Sequence, residues 1–247
     1  MTSESLPTID AYCTLGWDRD EALTPANLLA QMDRNGMGMA LIAPDSGELA
    51  VRNREGNQRI AEIARTAPDR FLPAFTVNPW IGAGALDVLD DAKADGGRVL
   101  VLAPHRQGFH LGDSLVDTIV EWAVLCDVPV YAHGAPTASG TPSQMYLLAQ
   151  RFPEGRFLLG GSGTSDYAYD MLPLLRLRLP NLWCDTGFVR PSALQTYAAE
   201  APDRVCFASR SPQNDLYLER ELLTESVANE LLPGILGTNF LNFLQRS

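Results

Sequence analysis

The chain has 247 residues, 46% of them hydrophobic and 20% charged, and a formal net charge of −11. That acidity disfavours nucleic acid and anionic membrane surfaces as partners, and the apolar content excludes a largely disordered chain. No apolar run nears the roughly 20 residues of a membrane span, and Met1-Thr2-Ser3-Glu4-Ser5 lacks the basic and apolar parts of a signal peptide.

The pattern of apolar runs alternates between two kinds of element. Thr8 to Thr14 reads as a strand. Thr24-Pro25 then opens a helix, with Thr as N-cap and Pro in the first turn, and Asn35-Gly36 closes it. Met39 to Ala43 is a second strand, followed by a helix from Asn53 to Ala67 with Ile60, Ile63 and Ala64 on one face. Phe71 to Val77 is the third strand, Ala83 to Asp95 a helix, and Arg98 to Leu102 the fourth strand. A loop through Pro104 and His110 leads to a helix from Ser114 to Cys126. The fifth strand, Val130 to His133, is an apolar run between Pro129 and Gly134, the mark of a buried parallel strand. A helix from Thr141 to Arg151, a sixth strand from Phe157 to Gly160 and a helix from Tyr167 to Leu179, bent at Pro173, come next. Leu182 to Asp185 and Val205 to Ala208 are the seventh and eighth strands, with a helix from Pro191 to Ala201 between them. Helices over Tyr217 to Thr224, Val227 to Leu232 and Phe240 to Gln245 end the chain.

Eight strands, each followed by a helix, predict an α/β fold of the (β/α)8 TIM-barrel type, as one domain over residues 1–247. A doubly wound sheet fits less well, because no Gly-rich phosphate turn follows the first strand. Gly160-Gly161-Ser162-Gly163 lacks both the Lys and the spacing of a phosphate-binding loop.

Five stretches at strand ends carry a pattern. Ile9-Asp10-Ala11-Tyr12-Cys13-Thr14 can be set against Ile-Asp-x-His-x-His, Leu102-Ala103-Pro104 against Leu-His-Pro, and Pro129 to His133 against Pro-Val-x-x-His. Leu159-Gly160-Gly161-Ser162-Gly163 can be set against a segment ending in His-x-Gly, and Arg204 to Pro212 against Arg-x-x-Phe-Gly-Ser-Asp-x-Pro. In this order the stretches resemble the strand ends of the amidohydrolase superfamily, in its decarboxylase-like branch. The resemblance implies a barrel whose strand-end histidines hold a divalent metal, with an eighth-strand Asp that binds metal or takes a proton from the attacking water. At those positions this chain has Tyr12, Thr14, His133, Gly161 and Arg210. One imidazole is short of the three protein ligands usual at a catalytic zinc, and Arg210 is a permanent cation. The expectation is a degenerate metal site with no metal and no cofactor.

The candidate site follows from the same strand ends. His133 is a candidate general base or hydrogen-bond partner. Arg210 is a candidate carboxylate anchor, with an internal ion pair to Asp185 or Asp10 as the structural alternative. Tyr12 is a candidate donor, or packing. Cys13 is a candidate thiolate nucleophile if it lies near His133, and otherwise a buried free thiol. His105, Arg106 and His110 are candidates to line the mouth for an anionic ligand, with Asp185 and Trp17 contributing. Cys13, Cys126, Cys184 and Cys206 have no paired spacing, as expected of free thiols in a cytoplasmic protein. Three functions stay open. One is a non-catalytic subunit that partners an active homologue, or forms a homo-oligomer, or binds a small anion. Another is a metal-independent hydrolase, lactonase or decarboxylase for a small carboxylic acid, using His133 and Arg210. The third keeps metal hydrolysis through unusual ligands such as Cys13, His105 or His110.

Overall fold

The computed structural model describes residues 6–134, 138–164 and 167–245; the N-terminal stretch read for a signal peptide lies outside them. Eight parallel strands form one sheet: β1 (Ile9–Thr14), β2 (Met39–Ala43), β3 (Phe71–Thr76), β4 (Val99–Leu102), β5 (Val130–His133), β6 (Phe157–Gly160), β7 (Leu182–Asp185) and β8 (Val205–Cys206). Bonds from Ala11 N to Phe207 O (2.8 Å) and from Arg210 N to Tyr12 O (3.1 Å) lay the first strand beside the end of the eighth. The ring is a TIM barrel, as the element order predicts.

Helices cover the outside: α1 (Pro25–Arg34), α2 (Asn53–Thr66), α3 (Ala85–Ala94), α4 (Asp117–Leu125), α5 (Pro142–Arg151), α6 (Tyr167–Arg176), α7 (Pro191–Glu200) and α8 (Leu216–Ser226). Their starts are written locally. Thr24 accepts from Asn27 N and Thr141 from Gln144 N, each with Pro at the next position. Asn57 of α2 exchanges two 2.8 Å bonds with the backbone of Thr76, stitching that helix to β3.

The strands are buried on both faces, which explains their nearly continuous apolar character. Leu41, Val99, Val101, Leu158 and Trp183 join one apolar cluster inside the ring. Ile42, Leu100, Leu102, Leu159 and Cys184 join another under the helices. In β1 the pairing register slips between Asp10 and Cys13. This irregularity puts two successive residues, Ala11 and Tyr12, in the inner cluster and returns Cys13 to the outer one. At the N-terminal end of the strands, Phe240 and Phe243 of a last helix, α9 (Asn239–Leu244), pack against Trp183 and Ile9. Buried Arg156 holds that helix by donating to Phe243 O (2.9 Å) while pairing with Asp127.

The differences from the expected elements lie in the loops. A two-stranded antiparallel hairpin, Gly16–Asp18 with Glu21–Leu23, follows β1, and a short helix, Ser46–Ala50, is set by a capping box between Asp45 and Glu48. The loop after β4 holds a helical turn, Pro104–Gln107, ended by left-handed Gly108. Residues 227–231 are not helical; the chain leaves α8 at Val227 with extended backbone, becomes helical at Leu232, and runs into a π-turn at Gly234–Thr238. β8 ends at Cys206, two residues short, as the chain turns toward left-handed Arg210. No described helix is long and apolar enough to cross a membrane.

Candidate ligand site at the barrel mouth

Tyr12, His133 and Arg210 converge where β1, β5 and β8 end. Tyr12 stacks on Tyr131 with ring centroids 4.8 Å apart, and the His133 ring meets Tyr12 edge-on at 4.7 Å. The Arg210 guanidinium lies 5.1 Å from the Tyr12 ring and 5.4 Å from the Phe188 ring. Its Nη1 donates to the Tyr131 hydroxyl (2.9 Å), which donates onward to Asp185 Oδ2 (2.6 Å). Asp185 also accepts from Gly161 N and Gly187 N, and its carboxylate stands 3.7 Å from Arg210. The alternative of an Arg210–Asp185 ion pair is therefore present, but as a long contact bridged by a phenol.

The cluster is built around its glycines. A Cβ at Gly160 would stand 2.0 Å from the Tyr131 hydroxyl oxygen, and one at Gly187 would stand 2.3 Å from Arg210 Cδ. Gly160 makes room for the bridging phenol, and Gly187 for the stem of the arginine.

Burial, then the charges of Arg210 and Arg106, push His133 well below the usual imidazole range, so its ring is neutral near pH 7. Burial opposes the Arg210 charge, but Tyr131 and Asp185 outweigh it and hold the guanidinium protonated. Burial raises Asp185 despite Arg210 and its hydrogen bonds, and raises Tyr12 to about 12.

Above this cluster lies a cavity of about 220 Å³ lined by Arg19, Ala103, His105, Arg106, His133, Gly134, Thr164, Phe188, Arg210 and Gln213. The described lining contains three arginines and no carboxylate, in a chain of net charge −11. Three polar atoms in these walls, His133 Nε2, Thr164 Oγ1 and Arg210 Nε, are shut off from solvent with no hydrogen-bond partner among the described residues. Such atoms are costly and uncommon in folded proteins. Backbone conformation sets the site apart as well. Arg19, Phe188 and Arg210 all carry a φ near +60°, and they are three of the five non-glycine residues with positive φ among the described residues. Side chains of this size rarely adopt that region outside sites where surrounding structure enforces it.

The rim is fixed by Asp18, in the hairpin after β1. It is buried, and accepts from Ser46 Oγ (2.6 Å), from Gln213 Nε2 (2.7 Å) and from Arg106. One carboxylate thereby ties three loops to the hairpin and turns Arg106 toward the cavity.

Several of the other residues singled out from sequence lie elsewhere. Cys13 Sγ contacts Asp10 Oδ2 (3.2 Å) and Ser209 Oγ (3.7 Å) in the shell outside the strands, away from His133, and burial raises its thiol well above the usual range. Asp185 sits beneath Arg210, outside the cavity lining, and Asp10 accepts from Ser209 N and Tyr12 N instead of meeting Arg210. His110 is exposed with Nδ1 at 2.9 Å from Ala138 O, and Trp17 is exposed on the hairpin. His105 and Arg106 do line the cavity. Arg19, Thr164, Phe188 and Gln213 were not anticipated.

The residues present do not fit a divalent metal. No group of three or more His, Cys, Asp or Glu suited to holding one occurs among the described residues. Two imidazoles, His105 and His133, line the cavity, and they do so beside three guanidinium groups that repel a cation.

The sequence matches the amidohydrolase family model Amidohydro_2 over residues 13–239. No curated protein matches the chain. Among solved structures, 5-carboxyvanillate decarboxylase from Sphingomonas paucimobilis superposes with a TM-score of 0.75 at 17% identity, over 97% of this chain and 99% of that one. 2,6-Dihydroxybenzoate decarboxylase from Rhizobium does so at 0.77 and 15%, over 97% and 98%. Dihydroxybenzoic acid decarboxylase from Polaromonas, which holds manganese and the inhibitor 2-nitroresorcinol, gives 0.76 and 15%, over 97% of each chain.

Proposed function

This chain belongs to the amidohydrolase family, and from that premise we propose that its barrel mouth binds a small organic acid, and that metal-activated hydrolysis is not its chemistry. The observation that carries the reading is the cavity wall itself: three arginines, no carboxylate and three unpartnered buried polar atoms, in a strongly acidic protein. A carboxylate answers both features, because it brings negative charge and acceptors together. A cavity of about 220 Å³ is below the roughly 300–1,000 Å³ of drug-sized sites and suits a single-ring or short-chain acid.

Thermal-shift titration with a panel of aromatic and dicarboxylic acids tests this reading. Stabilisation by at least one acid, lost in Arg210→Ala, is the expected result. A wild-type midpoint that no acid moves counts against it. Elemental analysis of protein purified without chelator is expected to show no stoichiometric zinc or manganese. In the same proposal the chain works as a binding subunit beside a metal-bearing homologue, which co-purification from the native host tests.

A second reading is metal-independent decarboxylation. It is favoured by the neutral His133 imidazole beside Arg210, whose Nε2 has no hydrogen-bond partner among the described residues, and by the decarboxylases among the similar solved structures. The bond to the carboxyl carbon breaks, carbon dioxide leaves, and the electron pair left on the ring carbon takes a proton delivered by water or through the imidazole. Absence of carbon dioxide release from 2,6-dihydroxybenzoate and 5-carboxyvanillate removes this reading and leaves binding intact.

A further inference from the structure

The disagreement between the lining and a metal has a positive side. We propose that Arg210 is the resident cation of the site, and that its Nε–Nη2 edge grips a planar carboxylate side-on without any divalent ion. The inference deepens the binding reading above and rests on it.

Three observations carry it. The first is which edge of the guanidinium is free. Nη1 is committed to the Tyr131 hydroxyl, Nε has no partner, and Nη2 makes no hydrogen bond among the described residues. Nε–H and Nη2–H point the same way in the plane of the guanidinium, and two parallel donors match the two oxygens of a carboxylate. A lysine at the same place would supply the charge but not the pair of donors.

The second is immobilisation. Arg210 has a φ of +58°, its N donates to Tyr12 O, and its guanidinium lies between the Tyr12 and Phe188 rings. With Nη1 tethered to Tyr131 and Tyr131 tethered to Asp185, the side chain has little freedom left to lose when a ligand arrives. The missing Cβ of Gly187, 2.3 Å from Arg210 Cδ, is the space this conformation requires.

The third is the polar company. Thr164 Oγ1 has no partner among the described residues, and Thr164 lines the same cavity; a Cβ on Gly161 would lie 3.1 Å from that oxygen and 3.5 Å from Arg210 Cζ, so the hydroxyl and the guanidinium flank one point. Thr164 supplies a further donor to a carboxylate held there, and His133 Nε2 borders the same space. Phe188, stacked on Arg210, offers a ring face to the body of the acid.

Isothermal titration calorimetry on the full chain tests this with benzoate as the planar probe and phenylphosphonate as the tetrahedral one, each with EDTA and again with added manganese. Benzoate is expected to bind equally with EDTA and with manganese, and more tightly than phenylphosphonate. Arg210→Lys keeps the charge and is expected to lose at least about tenfold in benzoate affinity. Thr164→Val, which removes a hydroxyl with no hydrogen-bond partner among the described residues, is expected to lose about threefold or more while melting as the wild type does. Benzoate binding that requires manganese, or that survives Arg210→Lys and Thr164→Val unchanged, overturns the inference while the acid-binding reading stands. Failure of the wild type to bind either probe, with or without metal, overturns both.

Discussion

Removing the hydroxyl of Tyr131 should cost far more than removing that of Tyr12, although the two rings stack on each other and both are buried. The Tyr131 hydroxyl donates to Asp185 at 2.6 Å and accepts from Arg210 at 2.9 Å. Hydrogen bonds to charged groups contribute about 1.5–3 kcal/mol each, so Tyr131→Phe loses two such bonds at constant ring volume. Part of the loss is recovered as Arg210 and Asp185 close their 3.7 Å gap. The net expectation is a destabilisation of about 2–4 kcal/mol, a sizeable share of the roughly 5–15 kcal/mol of a typical domain. Tyr12 offers the control, since its hydroxyl takes part in one long 3.4 Å bond with Thr14, and Tyr12→Phe should cost less than about 1 kcal/mol. Urea denaturation followed by circular dichroism measures both, with an unchanged m-value as the check that the two-state treatment holds. Equal effects of the two variants, or a Tyr131→Phe loss below about 1 kcal/mol, would refute the claim that the phenol bridges a buried ion pair.

Three further outcomes follow from the same geometry. The folded-state value of His133 lies below its unfolded value, so its contribution is complete above about pH 6.5 and lost as the pH falls below it. Wild type should therefore lose more stability than His133→Gln between pH 6.5 and 5.5, by at most about 1 kcal/mol; parallel curves would contradict this. The comparison with the variant is needed because Glu219, raised to about 7 by burial and then by Asp185 and Asp10, titrates with the opposite slope. Asp18→Ala removes the shared acceptor of Ser46, Gln213 and Arg106 and should cost about 2–4 kcal/mol, read by thermal unfolding; a loss under about 1 kcal/mol would mean the rim is not held by this carboxylate. Of the four cysteines, Cys126 is the one not fully buried, so native protein should react at one thiol with Ellman's reagent, and prompt reaction at Cys13 would show its shielding to be wrong.

The barrel was legible because its signals are local. Pro and Gly around Val130–His133, and Thr-Pro ahead of α1 and α5, mark boundaries within a few residues of those observed. The inner wall of the site was legible in part, since strand ends must converge in a closed barrel, and Tyr12, His133 and Arg210 meet there. The outer wall was not. Arg19 and Phe188 reach the cavity through left-handed backbone that no glycine or asparagine announces, and Thr164 gains meaning only from its lack of a partner. Cys13 shows the opposite failure. It stands one residue after Tyr12 at the same strand end, and only the register slip within β1 decides that the phenol faces inward and the thiol outward.

The stopper at the far end of the barrel settles how traffic moves. With Phe240 and Phe243 wedged below the ring and Arg156 bolting their helix in place, and with the ring itself packed by apolar side chains, the barrel has no passage along its axis. The cavity therefore opens on one side alone, and any molecule bound there under the reading proposed above has to come and go past Arg19 and Arg106.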